Sequence, residues 1–163
     1  MGTTENLKTA LSGESHANRT YLAFARKAEE EGYTQAAKLF RAAADAETVH
    51  AFMYLEHLGR IKGTRENLKE GISGETHEFT KMYPDFVKAA DSEGRKEAKT
   101  SFAWALKVEE GHANLYKKLL ERLDKKQGLD YYVCQTCGLT VEGEAPDRCP
   151  VCGKAKEQFK RIS

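Results

Sequence analysis

Glu47-Thr48-Val49-His50 and Glu109-Glu110-Gly111-His112 decide the fold, because each is preceded at hairpin distance by another acid, Glu14 and Glu75 respectively. Glu14 to Glu47 is 33 residues and Glu75 to Glu109 is 34, so the two halves read as one helical hairpin repeated. The apolar spacing around them is that of helix faces: Phe40, Ala43, Glu47, His50, Tyr54 on one, and Phe102, Ala105, Glu109, His112, Tyr116 on another. Leu7, Leu11, Glu14, Asn18, Tyr21 and Leu68, Ile72, Glu75, Phe79, Met82 supply the facing seams. Every seam carries a carboxylate near mid-height. A buried ionised carboxylate costs several kcal/mol unless it is paired or ligates a cation, so four at one level call for metal among them. A carboxylate on one helix facing Glu-x-x-His on the next, twice over, is the ligand pattern of a carboxylate-bridged dimetal site in a four-helix bundle. Carboxylate with imidazole suits iron, manganese or zinc.

With 163 residues, 31% charged and 40% hydrophobic, the chain suffices for one sizeable core and a small appendage. A net charge of +1, with acids and bases interspersed, gives no basic stripe for nucleic acid. No apolar run approaches membrane-spanning length, and the start, Met1-Gly2-Thr3-Thr4-Glu5, is polar rather than signal-like. A cytoplasmic location is therefore expected, where the four cysteines stay reduced and favour metal over disulfides.

The first helix is expected from Thr4 to Glu31, closed by Gly32, and the second from Thr34, acting as N-cap, to just before Gly59. A basic turn over residues 60–64 leads to a third helix, weakened locally by Gly71 and Gly74 and kinked at Pro84, which ends at Gly94. A fourth runs from Arg95 to Lys126, where Lys117, Lys118, Arg122, Lys125 and Lys126 favour its C-terminal dipole. From Leu129 the composition turns to aromatics, Cys, Gly and Pro. Residues 1–128 thus form the bundle and 129–163 a second domain.

In that domain Cys134-Gln135-Thr136-Cys137-Gly138 and Cys149-Pro150-Val151-Cys152-Gly153 form two knuckles that bring four thiolates onto one metal. The spacing alone leaves iron and zinc open and favours zinc. Tyr131, Tyr132, Val133 and Phe159 are expected to pack around it, and ligation should supply most of the stability of so short a segment. His57 is expected as a hydrogen-bonded core or end-of-bundle residue, His16 and His77 as solvent-facing or hydrogen-bonding, Glu110 as solvated, and Trp104 as core.

A dicarboxylate bundle followed by a two-knuckle cysteine module resembles the rubrerythrin family from Glu5 to Phe159. The matching segments are Glu14-Ser15-His16-Ala17-Asn18-Arg19-Thr20-Tyr21, Ala46 to His50, Gly74-Glu75-Thr76-His77-Glu78, Glu109 to His112 and the knuckles. The resemblance implies an all-α ferritin-like four-helix bundle with a small rubredoxin-like β/loop domain. It turns the metal preference at the cysteines to a single iron and places two irons in the bundle. It implies a peroxidase reducing hydrogen peroxide to water, with electrons from NADH delivered by a rubredoxin or an NADH-dependent reductase. By the same resemblance Glu47 and Glu109 bridge the irons, with Glu14 on one and Glu75 and His112 on the other. The iron held by Glu14 takes Glu78 when oxidised and His50 when reduced, and Tyr21 and Tyr83 hydrogen-bond the carboxylates. The rival functions are a ferroxidase or iron-storing protein and a binding protein with a structural zinc ribbon. In a ferritin-like bundle the second and third helices run parallel, requiring about 33 Å to be retraced, whereas residues 60–64 span at most about 18 Å. A homodimer with hairpins exchanged between chains is therefore expected.

Overall fold

Two glycines with positive φ, Gly32 at 82° and Gly94 at 68°, close the helices that open each hairpin, and they stand at matching places in the repeat. A computed structural model describes residues 2–125 and 128–163 as two compact units that meet in sequence at Lys62 and Gly63. The first is a single hairpin, α1 (Thr3–Glu30) and α2 (Thr34–His57). Its close contact rests on small residues, with Ala25, Ala28, Ala37 and Ala44 all buried. Asn18 ties the helices together, its side-chain amide donating to the Ala44 carbonyl at 2.6 Å and the Thr48 hydroxyl at 2.9 Å. Thr34 does not act as the N-cap expected of it. It is the first helical residue, and Tyr33 takes the capping position without a side-chain bond.

The second unit begins with α3 (Thr64–His77), passes through a π-helical turn (Glu78–Met82) into α4 (Tyr83–Ser92), and returns along α5 (Lys96–Arg122). The break expected as a kink at Pro84 is thus a wider turn placed before the proline. Pro84 has no N–H to give, and the Tyr83 N–H reaches back five residues to the Glu78 carbonyl, while the Thr80 hydroxyl bonds the Thr76 carbonyl at 2.6 Å. Gly71 and Gly74 do not interrupt α3. A Cβ on Gly71 would lie 3.2 Å from the Tyr116 ring, so this glycine makes room for the aromatic on α5. The α-helical part of the last helix stops at Arg122 and tightens into a 3-10 turn, Leu123–Lys125. The expected end at Lys126 lies outside the described residues.

The π turn explains the unequal spacings. Glu14 and Glu75 differ by 61 positions, whereas Tyr21 and Tyr83, Phe40 and Phe102, Glu47 and Glu109, and His50 and His112 all differ by 62. The second repeat therefore carries one extra residue, absorbed between Glu78 and Met82, and the aromatic packing beyond it is restored. Phe24 and Phe40 have ring centroids 5.5 Å apart, Phe86 and Phe102 5.4 Å; Tyr21–Phe40 and Tyr83–Phe102 are both 6.3 Å.

The same unit ends in an antiparallel sheet of order β2-β1-β3, formed by β1 (Tyr131–Cys134), β2 (Thr140–Glu142) and β3 (Phe159–Ile162). Its core differs from expectation. Cys134, Cys149 and Leu139 cluster with Val108 of α5, and Phe159 packs against them, while Tyr131, Tyr132 and Val133 are only half-buried outside this cluster. The sheet rests on a helix, and Val108 supplies apolar contact that so short a segment cannot provide alone. Among the described residues no helix is long and apolar enough to cross a membrane.

Candidate metal centres

Each hairpin assembles one half of a dimetal ligand set. In the first, donor atoms of Glu14, Glu47 and His50 lie within 4.8 Å of one another; in the second, those of Glu75, Glu109 and His112 do. Glu and His three residues apart share a helix face, which lets Glu47 Oε2 approach His50 Nδ1 at 2.8 Å and Glu109 Oε2 approach His112 Nδ1 at 2.6 Å. Glu75 Oε1 adds a contact to His112 Nδ1 at 3.8 Å. Both imidazoles therefore turn Nδ1 toward the carboxylates.

The electrostatics ask for a cation. Burial and then the neighbouring Glu109 hold the Glu75 carboxyl above its ordinary range, with Glu78 adding to the effect and His112 opposing it. The Tyr83 hydroxyl is likewise pushed up by burial, then by Glu109, Glu78 and Glu75, so it keeps its proton beside the acids. Tyr116 behaves the same way through burial, Glu75 and Glu109. Tyr116 follows His112 by four residues on the same helix face and lies against Gly71. Tyr21 is half-buried against Phe40, and Glu78 opens the π turn. His16, His77, His57 and Glu110 are exposed, and Trp104 is half-buried.

At the other centre the two knuckles mirror each other. Gly138 N–H bonds the Cys134 carbonyl and Gly153 N–H the Cys149 carbonyl, both at 2.9 Å, and the glycines adopt φ of 84° and 74°, where a side chain would strain the turn. The sulfurs of Cys134 and Cys152 are 3.7 Å apart, those of Cys137 and Cys149 3.5 Å, and all four fall within one ligand sphere. Burial raises the Cys134 thiol, but the N–H groups of Thr136 and Cys137 and the adjacent Cys152 outweigh it and bring it to about 7. Burial pushes Cys137 the other way, with Cys149 adding to it. Cys134 is drawn toward ionisation while Cys137 and Cys152 resist it, a resistance that a tetrahedral cation would reverse. Both donor sets fit iron, the cysteines as a four-thiolate site and the carboxylate-imidazole groups as two halves of a diiron site.

The cysteine module sits on α5 beside the second half-site. His112 Nε2 lies 2.8 Å from the Thr140 hydroxyl of β2, and Arg122 pairs with the Glu142 carboxylate, which also receives the Tyr131 hydroxyl at 3.4 Å. One chain thus brings the module to a dimetal ligand.

Helical hairpins bearing paired Glu and Glu-x-x-His ligands, followed by a four-cysteine sheet, define a ferritin-like diiron carboxylate protein with a rubredoxin-like redox module. The family model for rubrerythrin matches residues 5–120 and that for the rubrerythrin rubredoxin-like domain matches 132–160. The chain belongs to the rubrerythrin family, a group of diiron proteins in oxidative-stress defence. It is 34% identical to nigerythrin of Nitratidesulfovibrio vulgaris, across 96% of this chain and 85% of that one. It is 32% identical to the rubrerythrin of the same organism, across 98% and 94%. The solved structure of partially reduced nigerythrin shares its fold with a TM-score of 0.61 at 33% identity, covering 99% of this chain and 88% of that one.

Proposed function

We propose that this protein is an NADH-linked hydrogen peroxide reductase whose electrons enter at the four-cysteine iron, from a rubredoxin or an NADH-dependent reductase. The observation that carries this assignment is the contact of the cysteine module with His112, since a ferroxidase or storage protein needs no redox module at a dimetal ligand. The diiron centre, when bound, supplies two electrons that with two protons convert one peroxide to two waters. Glu47 and Glu109 would hold both metals, Glu14 one of them, and Glu75 with His112 the other. Tyr83 keeps a hydroxyl proton beside Glu75, Glu78 and Glu109, where it can be passed to a carboxylate. Tyr21 takes the matching place in the first repeat.

Glu78 and His50 serve as exchanging ligands. Glu78 has no acidic counterpart in the first repeat, where Ala17 stands, and it begins the π turn. His50 is 44% exposed and bonded only through Nδ1 among the described residues, whereas His112 is 26% exposed and held through both ring nitrogens. A second anion compensates ferric charge and neutral imidazole suits ferrous iron, so a His50 held from one side and a His112 held from both match their roles.

Residues 1–128 act as the bundle and 129–163 as the electron-entry module of a cytoplasmic homodimer with exchanged hairpins. From Glu47 to the end of α2 is about 15 Å, and from the start of α3 to Glu75 about 16 Å. The Arg60 N–H still bonds the Leu55 carbonyl, so the chain free to extend spans only about 14 Å. That is less than half the distance to be retraced if a chain closes its own bundle.

Anaerobic turnover with NADH, a reductase and peroxide, joined to metal analysis, tests the assignment. Iron at both centres with peroxide-dependent NADH oxidation is expected. A colourless zinc-loaded module with ferroxidase activity alone would overturn it.

A further inference from the structure

We propose that Thr140 is a positioning residue that fixes the His112 tautomer and couples the four-cysteine module to the dimetal site through its hydroxyl, a role resting on the function proposed above. His112 points Nδ1 at Glu109 Oε2, 2.6 Å away, and at Glu75 Oε1, 3.8 Å away. A metal among these carboxylates takes the Nδ1 lone pair, which leaves the ring proton on Nε2. That N–H faces the Thr140 oxygen at 2.8 Å. The hydroxyl donates its own proton to the Gly138 carbonyl at 3.3 Å, so its oxygen is oriented to accept. A ligating imidazole whose other nitrogen is held in this way keeps its ring plane and gains basicity.

The partner that holds it belongs to the cysteine module. Gly138 directly follows Cys137, so the contacts run from a thiolate ligand through one peptide to the Gly138 carbonyl, the Thr140 hydroxyl and the His112 ring. In the coupled step one electron leaves the ferrous four-thiolate iron, which becomes ferric, and reduces one ferric ion of the dimetal site; no proton crosses the bridge. The first repeat has no such arrangement, because His50 has no bond at Nε2 among the described residues. Docking does not depend on Thr140 alone. Arg122 with Glu142, and Val108 within the cysteine core, hold β2 on α5 independently.

The decisive comparison uses full-length Thr140→Val, which keeps the side-chain shape, and Thr140→Ser, which keeps the hydroxyl. In zinc-loaded, 15N-histidine-labelled protein, the wild type and Thr140→Ser should show a protonated, exchange-protected His112 Nε2, and Thr140→Val should lose that protection. In iron-loaded protein with the four-cysteine site reduced and the dimetal site oxidised, stopped-flow absorption should show reoxidation slowed about 10- to 100-fold in Thr140→Val and restored in Thr140→Ser. Unchanged Nε2 protection and an unchanged rate in Thr140→Val would overturn the proposal, as would a Thr140→Ser protein as slow as Thr140→Val. Failure of the wild type to consume peroxide would instead sink the peroxidase assignment and leave the His112 resonance as an independent measure of the Thr140 contact.

Discussion

The two hairpins share one ligand pattern, and two of their differences lie beside a ligand. Gly13-Glu14-Ser15-His16-Ala17 and Gly74-Glu75-Thr76-His77-Glu78 correspond residue for residue until Ala17 meets Glu78. There the second repeat gains a carboxylate and one residue of length, taken up as a π turn that lets Tyr83 recover the place of Tyr21. The other difference lies at the histidines, since Thr140 secures His112 from behind while His50 is held from one side. Near-symmetric ligands with unequal support suit a site in which one metal keeps its ligands and the other exchanges them. A symmetric storage centre has no use for the inequality.

The largest expected effect breaks the similarity of the halves. Glu47→Ala and Glu109→Ala each remove a carboxylate proposed to bridge the metals, and each should leave the bundle with little or no iron by metal analysis. Loss of one bridge affects both metals, so the two variants should be equally defective. A mixture of Glu14→Ala and Glu109→Ala chains then tests the exchange of hairpins. In an exchanged heterodimer one of the two sites receives both wild-type halves, so activity should return to about half that of the wild type in isolated heterodimers and about a quarter in an equimolar co-refolded mixture. Confirmed heterodimers without activity would mean that each bundle closes within its own chain.

Next in size is the separation of electron entry from peroxide chemistry. Cys134→Ser should abolish reductase-linked turnover and the visible absorption of the four-thiolate iron, while a chemically reduced bundle still consumes one peroxide per diiron site. The deeply buried Cys134 has a thiol drawn toward ionisation whereas that of the less buried Cys152 is pushed away from it, so loss of Cys134 should cost more metal than loss of Cys152. Full reductase-linked activity in Cys134→Ser would remove the module from the electron path.

These expectations depend on features of unequal visibility in the sequence. Glu14, Glu47, His50, Glu75, Glu109 and His112 were legible because they interrupt helical apolar faces at ligand spacing, and Gly32 and Gly94 marked the hairpin turns through local backbone chemistry. The π turn left one trace, the spacing of 34 instead of 33, which Pro84 disguised as an ordinary kink. Thr140 and Val108 left none, because their partners lie across the boundary between α5 and the cysteine segment and no local period encodes such a contact. Tyr131 to Val133 looked like module core for their apolar character, yet Val108 and Leu139 took that place.

A smaller effect sharpens the asymmetry at the π turn. Glu78→Ala should retain both irons and slow the catalytic cycle about 10- to 100-fold, because an exchanging ligand is needed in only one oxidation state. His50→Ala should show a similar loss confined to the reduced state. Unchanged peroxide turnover in Glu78→Ala would take away any role for the extra carboxylate.

The smallest effect concerns the clamp between the module and α5. The hydrogen bonds and charge of Arg122 hold the Glu142 carboxyl below its ordinary value of 4.5, with burial opposing and Tyr131 assisting. A carboxyl whose folded pKa is depressed stabilises the fold fully above its unfolded pKa and loses that contribution as pH falls through the folded one. Glu142→Gln should therefore melt no more than a few degrees below the wild type at neutral pH, since the pair is partly solvated and screened. The difference between the two proteins should persist down to about pH 5 and shrink below pH 4.5 as Glu142 protonates. Salt should reduce it in the same direction at neutral pH. Thermal melts of the iron-loaded proteins across that range measure it, and a gap that stays constant through the acid limb would show that Glu142 acts through packing and not through its charge. The His112–Thr140 contact involves neither residue, so inter-site electron transfer in Glu142→Gln should remain near the wild-type rate, separating the clamp that docks the module from the hydroxyl that couples it.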